Sequence, residues 1–146
     1  MKKKYAMIII LFLSTIILCY KFIESQSHRK DLQNSIDLAF KNQLSHVLSS
    51  FSMQVNDYTY RTMISSVYNV AAMSELTSFE KSNDNLDVSL HNLYISLRED
   101  KSKDKVLNRV EELHDIFFIL VQDPSSHEAT DKLIQLSNET FFNTEE

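Results

Sequence analysis

The chain of 146 residues contains no glycine. Tight turns, phosphate-binding loops and close approaches of the backbone to a ligand normally require glycine, because it adopts positive φ angles without steric cost. Its absence argues against a P-loop, a dinucleotide-binding fold and the nucleophile elbow of serine hydrolases. The apolar residues recur with helical rather than strand periodicity, so we predict an all-α protein.

An uncharged apolar run near the N-terminus predicts a membrane segment. Residues 5–20 carry no charge, and Phe22 and Ile23 extend the run past Lys21. At about 1.5 Å per helical residue, positions 5–23 span about 28 Å, close to the hydrocarbon thickness of a bilayer. Three lysines precede the run, and positive charge stays on the cytoplasmic side. We therefore expect a cytoplasmic N-terminus (1–4), a transmembrane signal-anchor helix (5–23) and an extracytoplasmic domain (24–146) at the cell membrane.

Two other processing routes stay open for this segment. A charged start followed by an apolar run also describes a cleaved secretory signal, and Ser25 and Ser27 offer the spaced small residues of a cleavage site. Cleavage there would give a secreted helical binding protein beginning at His28. A lipoprotein is disfavoured, because Leu18 precedes Cys19 where a lipobox has glycine, alanine or serine.

The charge of the outer domain excludes one class of partner. Residues 24–146 contain 11 basic and 20 acidic residues, which gives a net charge of −9. Such a surface repels phosphate backbones, so we expect no nucleic-acid binding. Cys19 is the only cysteine of the chain, so the outer domain has no disulfide.

The outer domain carries several amphipathic stripes. Apolar residues recur at steps of three and four from Leu32 onward, with polar links between the stripes. Residues 116–121 are apolar on every side, and we place Phe117 among them in the core. Together these stripes predict an antiparallel bundle of four to five helices after the transmembrane helix.

Helix boundaries follow from a few polar residues and one proline. Asn56-Asp57 is the predicted interruption of the first long stripe, although a single helix over residues 28–78 stays open. The charged stretch 98–104 is interpreted as a linker. Pro124 ends the helix before it, and Ser125 with a glutamate three residues later predicts the capping box of the last helix. We expect residues 143–146 to fray.

No set of residues predicts an enzyme. Glu111 and His114 are spaced as half of a di-metal site, but a di-iron bundle needs a second matching pair, so we interpret them as surface residues. The serines lie on helix faces, without histidine and acid partners at catalytic spacing. We name no catalytic, cofactor-binding or metal-binding residue and expect no cofactor. A membrane-tethered enzyme of unfamiliar type is the weakest alternative.

Tyr58 and Tyr60 are the candidates for partner binding. They lie in a segment rich in tyrosine and methionine, which suit adaptable binding surfaces and pockets between helices. Residues two apart project about 200° from each other on a helix, so the two cannot face one core. We expect one of them to be exposed and to contact a protein partner. A small-molecule ligand is the alternative.

These features predict a single-pass membrane protein that acts as an interaction or sensing accessory. A cytoplasmic segment of about four residues leaves no room for an output domain, so a signal would pass through another protein. The arrangement is similar to the ligand-sensing bundles of bacterial membrane receptors, and to small divisome proteins in which a coiled coil follows one membrane helix. This resemblance is one of architecture. A composition rich in lysine, isoleucine and asparagine indicates a bacterium with an AT-rich genome.

Overall fold

The computed structural model describes residues 2–142, except for the side chains at 2–4, 6–10, 141 and 142. Within that range the chain is all-α, which confirms the predicted fold class. The elements are α1 (Lys2–Phe51), α2 (Asp57–Ser74), α3 (Leu86–Arg98), α4 (Asp100–Leu107), α5 (Val110–Gln122), α6 (His127–Ser137) and a π-helical segment (Asn138–Phe142). The predicted cytoplasmic segment (1–4) and the predicted frayed tail (143–146) lie outside the residues described with their side chains.

The chain divides into two compact units, one up to Ser35 and the other from Ile36 onward. In the first unit, the hydroxyls of Ser14 and Thr15 both donate to the carbonyl of Leu11, at 2.8 and 2.9 Å. These two hydroxyls are therefore satisfied within their own helix.

The predicted transmembrane helix (5–23) is not confirmed by the described part of α1. Among the described residues, we find no helix whose length and apolar character would carry it across a bilayer. The predicted span (5–23) lies partly outside those residues, because the side chains at 6–10 are not among them.

The second unit is a helical bundle around one hydrophobic core. The rings of Phe51 and Phe117 lie 5.5 Å apart in this core, as predicted for Phe117. All six helices contribute buried apolar side chains: Phe40, Leu44, Val47, Phe51, Met63, Val67, Val70, Leu86, Leu90, Leu93, Leu97, Val106, Leu113, Ile116, Phe117, Leu120, Ala129, Leu133 and Leu136. Their steps of three and four residues follow the stripes that the sequence predicts.

A capping box separates α1 from α2 at the predicted position. Asn56 is the N-cap of α2, and its side-chain oxygen accepts hydrogen bonds from the N–H groups of Tyr58 and Thr59 at 2.9 and 3.0 Å. In return, the N–H of Asn56 donates to the hydroxyl of Thr59 at 2.8 Å. Because these bonds satisfy the free N–H groups of a helix start, residues 28–78 belong to two helices and not to one.

The stretch 98–104 is predicted to be a linker, but most of it belongs to α4. The bundle from Ile36 onward therefore contains the end of α1 and five further α-helices, one more than the upper limit of the predicted four to five. Val106 of α4 is buried in the core. The hydroxyl of Ser102 donates to the carbonyl of Ser96 on α3 at 2.7 Å. These two inward-facing residues hold a mostly charged helix against the bundle.

The connection between α5 and α6 differs from the sequence prediction in the position of the N-cap. Pro124 follows the end of α5, as predicted, but Ser126 and not Ser125 is the N-cap of α6. The N–H of Ser125 instead donates to the carboxylate of Asp123 at 3.0 Å. This local turn at the aspartate extends the connection by one residue.

The loop between α2 and α3 is held at both ends. Near its start, the carboxylate of Asp37 accepts hydrogen bonds from the N–H and the hydroxyl of Ser78, at 2.8 and 2.6 Å. Near its end, the buried side chain of Asn83 donates to the carbonyl of Pro124 at 3.1 Å and to the hydroxyl of Thr130 at 2.7 Å. These bonds join the loop to α1, to the α5–α6 connection and to α6, all of which are distant from it in sequence.

Candidate functional site

The connection between α1 and α2 presents apolar side chains to solvent. Met53 is 45% exposed, Val55 is 44% exposed and Tyr58 is 78% exposed. The backbone beneath them is held in place, since the hydroxyl of Thr59 donates to the carbonyl of Gln54 at 2.8 Å and the capping box fixes the start of α2. Three large apolar groups are thus displayed from an ordered connection.

Tyr60 faces the opposite way and packs against the core. Its hydroxyl donates to the carbonyl of Leu97 on α3, and the ammonium of Lys103 lies 4.1 Å from the centre of its ring. Partial burial, followed by the negative charges of Asp100 and Asp104, raises the pKa of Tyr60 above its ordinary value. These contacts give Tyr60 a structural role between α2, α3 and α4.

Of the two candidate tyrosines, Tyr58 is therefore the exposed one. The two side chains lie on different faces of α2 and do not form one surface, as expected for residues that project about 200° apart on a helix. Partner binding by either residue stays a prediction.

A recess lies beside this connection, between the end of α1 and the start of α5. We call it the α1–α5 recess. It has a volume of about 430 Å³, and its lining residues are Phe51, Ser52, Val110, Glu111, His114 and Asp115. Phe51 is almost fully buried at its base, whereas Glu111 and Asp115 are exposed.

Phe118 adds an exposed apolar side chain to α5, one helical turn beyond His114. Its side chain is 55% exposed, while its neighbour Phe117 is fully buried. Neither the recess nor Phe118 is predicted as a candidate site from the sequence. The signal was present in the run 116–121, which is apolar on every side and so has more apolar faces than a core can cover.

The half-site of Glu111 and His114 lies on the wall of this recess. The His114 ring lies beside Asp115, with 3.6 Å between His114 Nδ1 and Asp115 Oδ1. Within the described part of the chain, no three histidine, cysteine or acidic side chains are grouped as metal ligands would be. Glu111 and His114 therefore form part of the surface of the α1–α5 recess.

A second, smaller recess lies between α2 and α3. Its volume is about 270 Å³, and Ala71, Glu75, Asp87, Val88 and His91 line it. One carboxylate oxygen of Asp87 is buried and has no hydrogen-bond partner among the described residues. The recess is acidic, but it is only partly enclosed by side chains from two helices.

Comparisons with protein-family models, with curated proteins and with solved structures give no match to this chain. The candidate site is therefore described from the residues of this chain alone. It consists of an exposed apolar connection and, starting one residue before Met53, a recess with carboxylates at its rim.

Proposed function

We propose that this chain is a single-pass membrane protein whose helical domain, outside the cytoplasm, binds another protein as an interaction or sensing accessory. The observation that carries the binding role is the exposed group formed by Met53, Val55 and Tyr58. Large apolar side chains displayed close together mark binding surfaces more often than isolated ones do. Tyrosine is also enriched among the residues that dominate binding energy.

The anchoring role is supported by the side chains of residues 11–23. Leu11, Phe12, Leu13, Ile16 and Ile17 are each at least half exposed, and they point to all sides of the helix. A helix that is apolar all round is stable when it is surrounded by lipid or protein, not by water. Under the positive-inside rule, the lysines before the run favour a cytoplasmic N-terminus.

The binding role is tested by one substitution and a matched control. The full chain, purified in a mild detergent after cross-linking in its native membrane, is compared with Tyr58→Ala and with Leu76→Ala. Leu76 is 61% exposed but lies just beyond the other end of α2, so it controls for the loss of any exposed apolar side chain.

We expect Tyr58→Ala to lose the cross-linked partner that the unchanged chain retains, and Leu76→Ala to keep it. A hot-spot residue should weaken partner binding by more than about 1 kcal/mol. If both variants retained the partner equally, the α1–α2 connection would not be the binding surface.

A further inference from the structure

We propose that the α1–α5 recess binds a basic amphipathic helix from a partner protein, with one large apolar side chain inserted above Phe51. This inference rests on the proposed function and adds to it the chemistry of the partner. The recess and Phe118 supply apolar contact, and the rim supplies negative charge.

The shape of the recess favours a polypeptide over a small molecule. Only the end of α1 and the first turns of α5 line it, so one side is open. A small-molecule site normally buries most of the ligand surface, which an open recess does not. A helix that lies across an open recess needs only one or two anchoring side chains to enter it.

The spacing along α5 fits such a helix. Val110 and His114 line the recess, and Phe118 lies one turn further along the same side of α5. Positions four residues apart on a helix lie above one another. A partner helix can therefore place apolar side chains at successive turns, one over the recess and one against Phe118.

The charge at the rim selects a basic partner. Glu111 and Asp115 lie four residues apart on α5, and both are exposed beside the apolar base. Two carboxylates next to an apolar recess favour lysine or arginine flanking the inserted side chain, and disfavour an acidic sequence. A second copy of this chain is a poor occupant, because residues 24–146 carry a net charge of −9.

The test uses a synthetic amphipathic helix of leucine and lysine that carries a photoreactive benzophenone at a central apolar position. The full chain in neutral detergent is irradiated with this peptide, and mass spectrometry locates the cross-links. We expect them at residues 51–53 and 110–118. A matched peptide with glutamate in place of lysine should give a yield at least about tenfold lower, since like charges repel across an interface.

Two pairs of substitutions distinguish the effect of the carboxylates at the rim of the recess from the effect of the overall negative charge. E111Q with D115N should lower the cross-link yield about threefold to tenfold, as expected for the loss of two partly solvated ion pairs. D84N with D131N removes the same charge from exposed positions elsewhere and should leave the yield unchanged. Phe118→Ala should also lower the yield, while the circular dichroism spectrum shows an intact bundle.

The proposal would be overturned if no cross-links formed at residues 51–53 and 110–118, or if the lysine and glutamate peptides gave equal yields. It would also be overturned if E111Q with D115N and D84N with D131N lowered the yield equally, or if the chain self-associated and Phe118→Ala dissociated it. If the peptide fails while Tyr58→Ala still loses its natural partner, the proposed function stands and this inference fails. If the peptide binds as expected while Tyr58→Ala keeps its partner, the surface around Tyr58 is the part that fails.

Discussion

At the scale of single residues, Tyr58 and Tyr60 differ in role although they are two positions apart. Tyr58 is 78% exposed, whereas the hydroxyl of Tyr60 donates to the carbonyl of Leu97. We predict that Tyr60→Phe lowers the free energy of unfolding by about 1 kcal/mol, because it leaves a partly buried carbonyl without its donor. Tyr58→Phe should change it by less than about 0.5 kcal/mol. Denaturant unfolding of both variants measures this, and equal effects would contradict the assigned roles.

A second residue-scale prediction concerns Asn83. Its buried amide donates to the carbonyl of Pro124 and to the hydroxyl of Thr130. Asn83→Ala should cost about 1–3 kcal/mol of stability, since both acceptors would be left buried without a donor. Asn85→Ala is the control, because the exposed Asn85 makes no capping hydrogen bond with its side chain. A cost at residue 85 as large as that at residue 83 would argue against a specific role of the buried amide.

Helical geometry predicts the separation of the two tyrosines but not which of them is exposed. Their angle follows from the sequence spacing alone. Which one turns inward depends on the face that α2 buries, and that face is set by packing of Met63, Val67 and Val70 against other helices. From the sequence alone, either tyrosine could face the core, and only contacts with other helices determine which face of α2 is buried.

At the scale of elements, the helix boundaries vary in how well the sequence predicts them. The start of α2 was predictable because Asn56 and Thr59 satisfy the helix end by local bonds. The helix α4 was missed because its sequence is mostly charged and its attachment depends on Ser102 and Val106, which meet α3 and the core. Local rules do not describe a contact between residues on different helices.

The start of α5 is joined to the π-helical segment by Arg109. Its guanidinium lies 2.5 Å from a carboxylate oxygen of Glu112 and 2.5 Å from one of Glu139. Hydrogen bonding to Arg109 first, and to Gln135 second, lowers the pKa of Glu139 below its ordinary value of 4.5. The stabilisation from the ionised Glu139 is therefore present above pH 4.5 and is lost as the pH falls through the lowered pKa.

The matched variant Glu139→Gln should be less stable than the unchanged chain above pH 4.5, and the gap should close at lower pH. Thermal unfolding across a series of acidic buffers measures this gap. A gap that does not change with pH would mean that the ionised carboxylate contributes no stability.

At the scale of the whole molecule, composition and periodicity were enough for the fold class. The absence of glycine and the steps of three and four residues both indicate helix, and every element in the described residues is helical. The α1–α5 recess was not predictable in the same way. Phe51 and Val110 are almost sixty positions apart, and only the packing of the bundle brings their helices together.

The core makes a prediction for the whole bundle. Phe117 is fully buried against Phe51, so Phe117→Ala should cost about 3–5 kcal/mol of stability through loss of contacts and the cavity left behind. Phe118→Ala, one residue further along, should cost less than about 1 kcal/mol because that ring is 55% exposed. Unfolding both variants by heat compares them, and similar losses would contradict this assignment of the two rings.

The most direct test of the account is the position of the helical domain relative to the membrane. Cys19 is the only cysteine, so Cys19→Ala combined with Asp131→Cys leaves a single thiol at an exposed position of α6. A membrane-impermeant maleimide is added to intact spheroplasts of a bacterium that expresses this variant, and the membranes are then washed with alkaline carbonate. We predict that the chain is labelled before lysis and stays in the membrane pellet. Labelling only after lysis, or a soluble species that begins at His28, would contradict the membrane-anchored account.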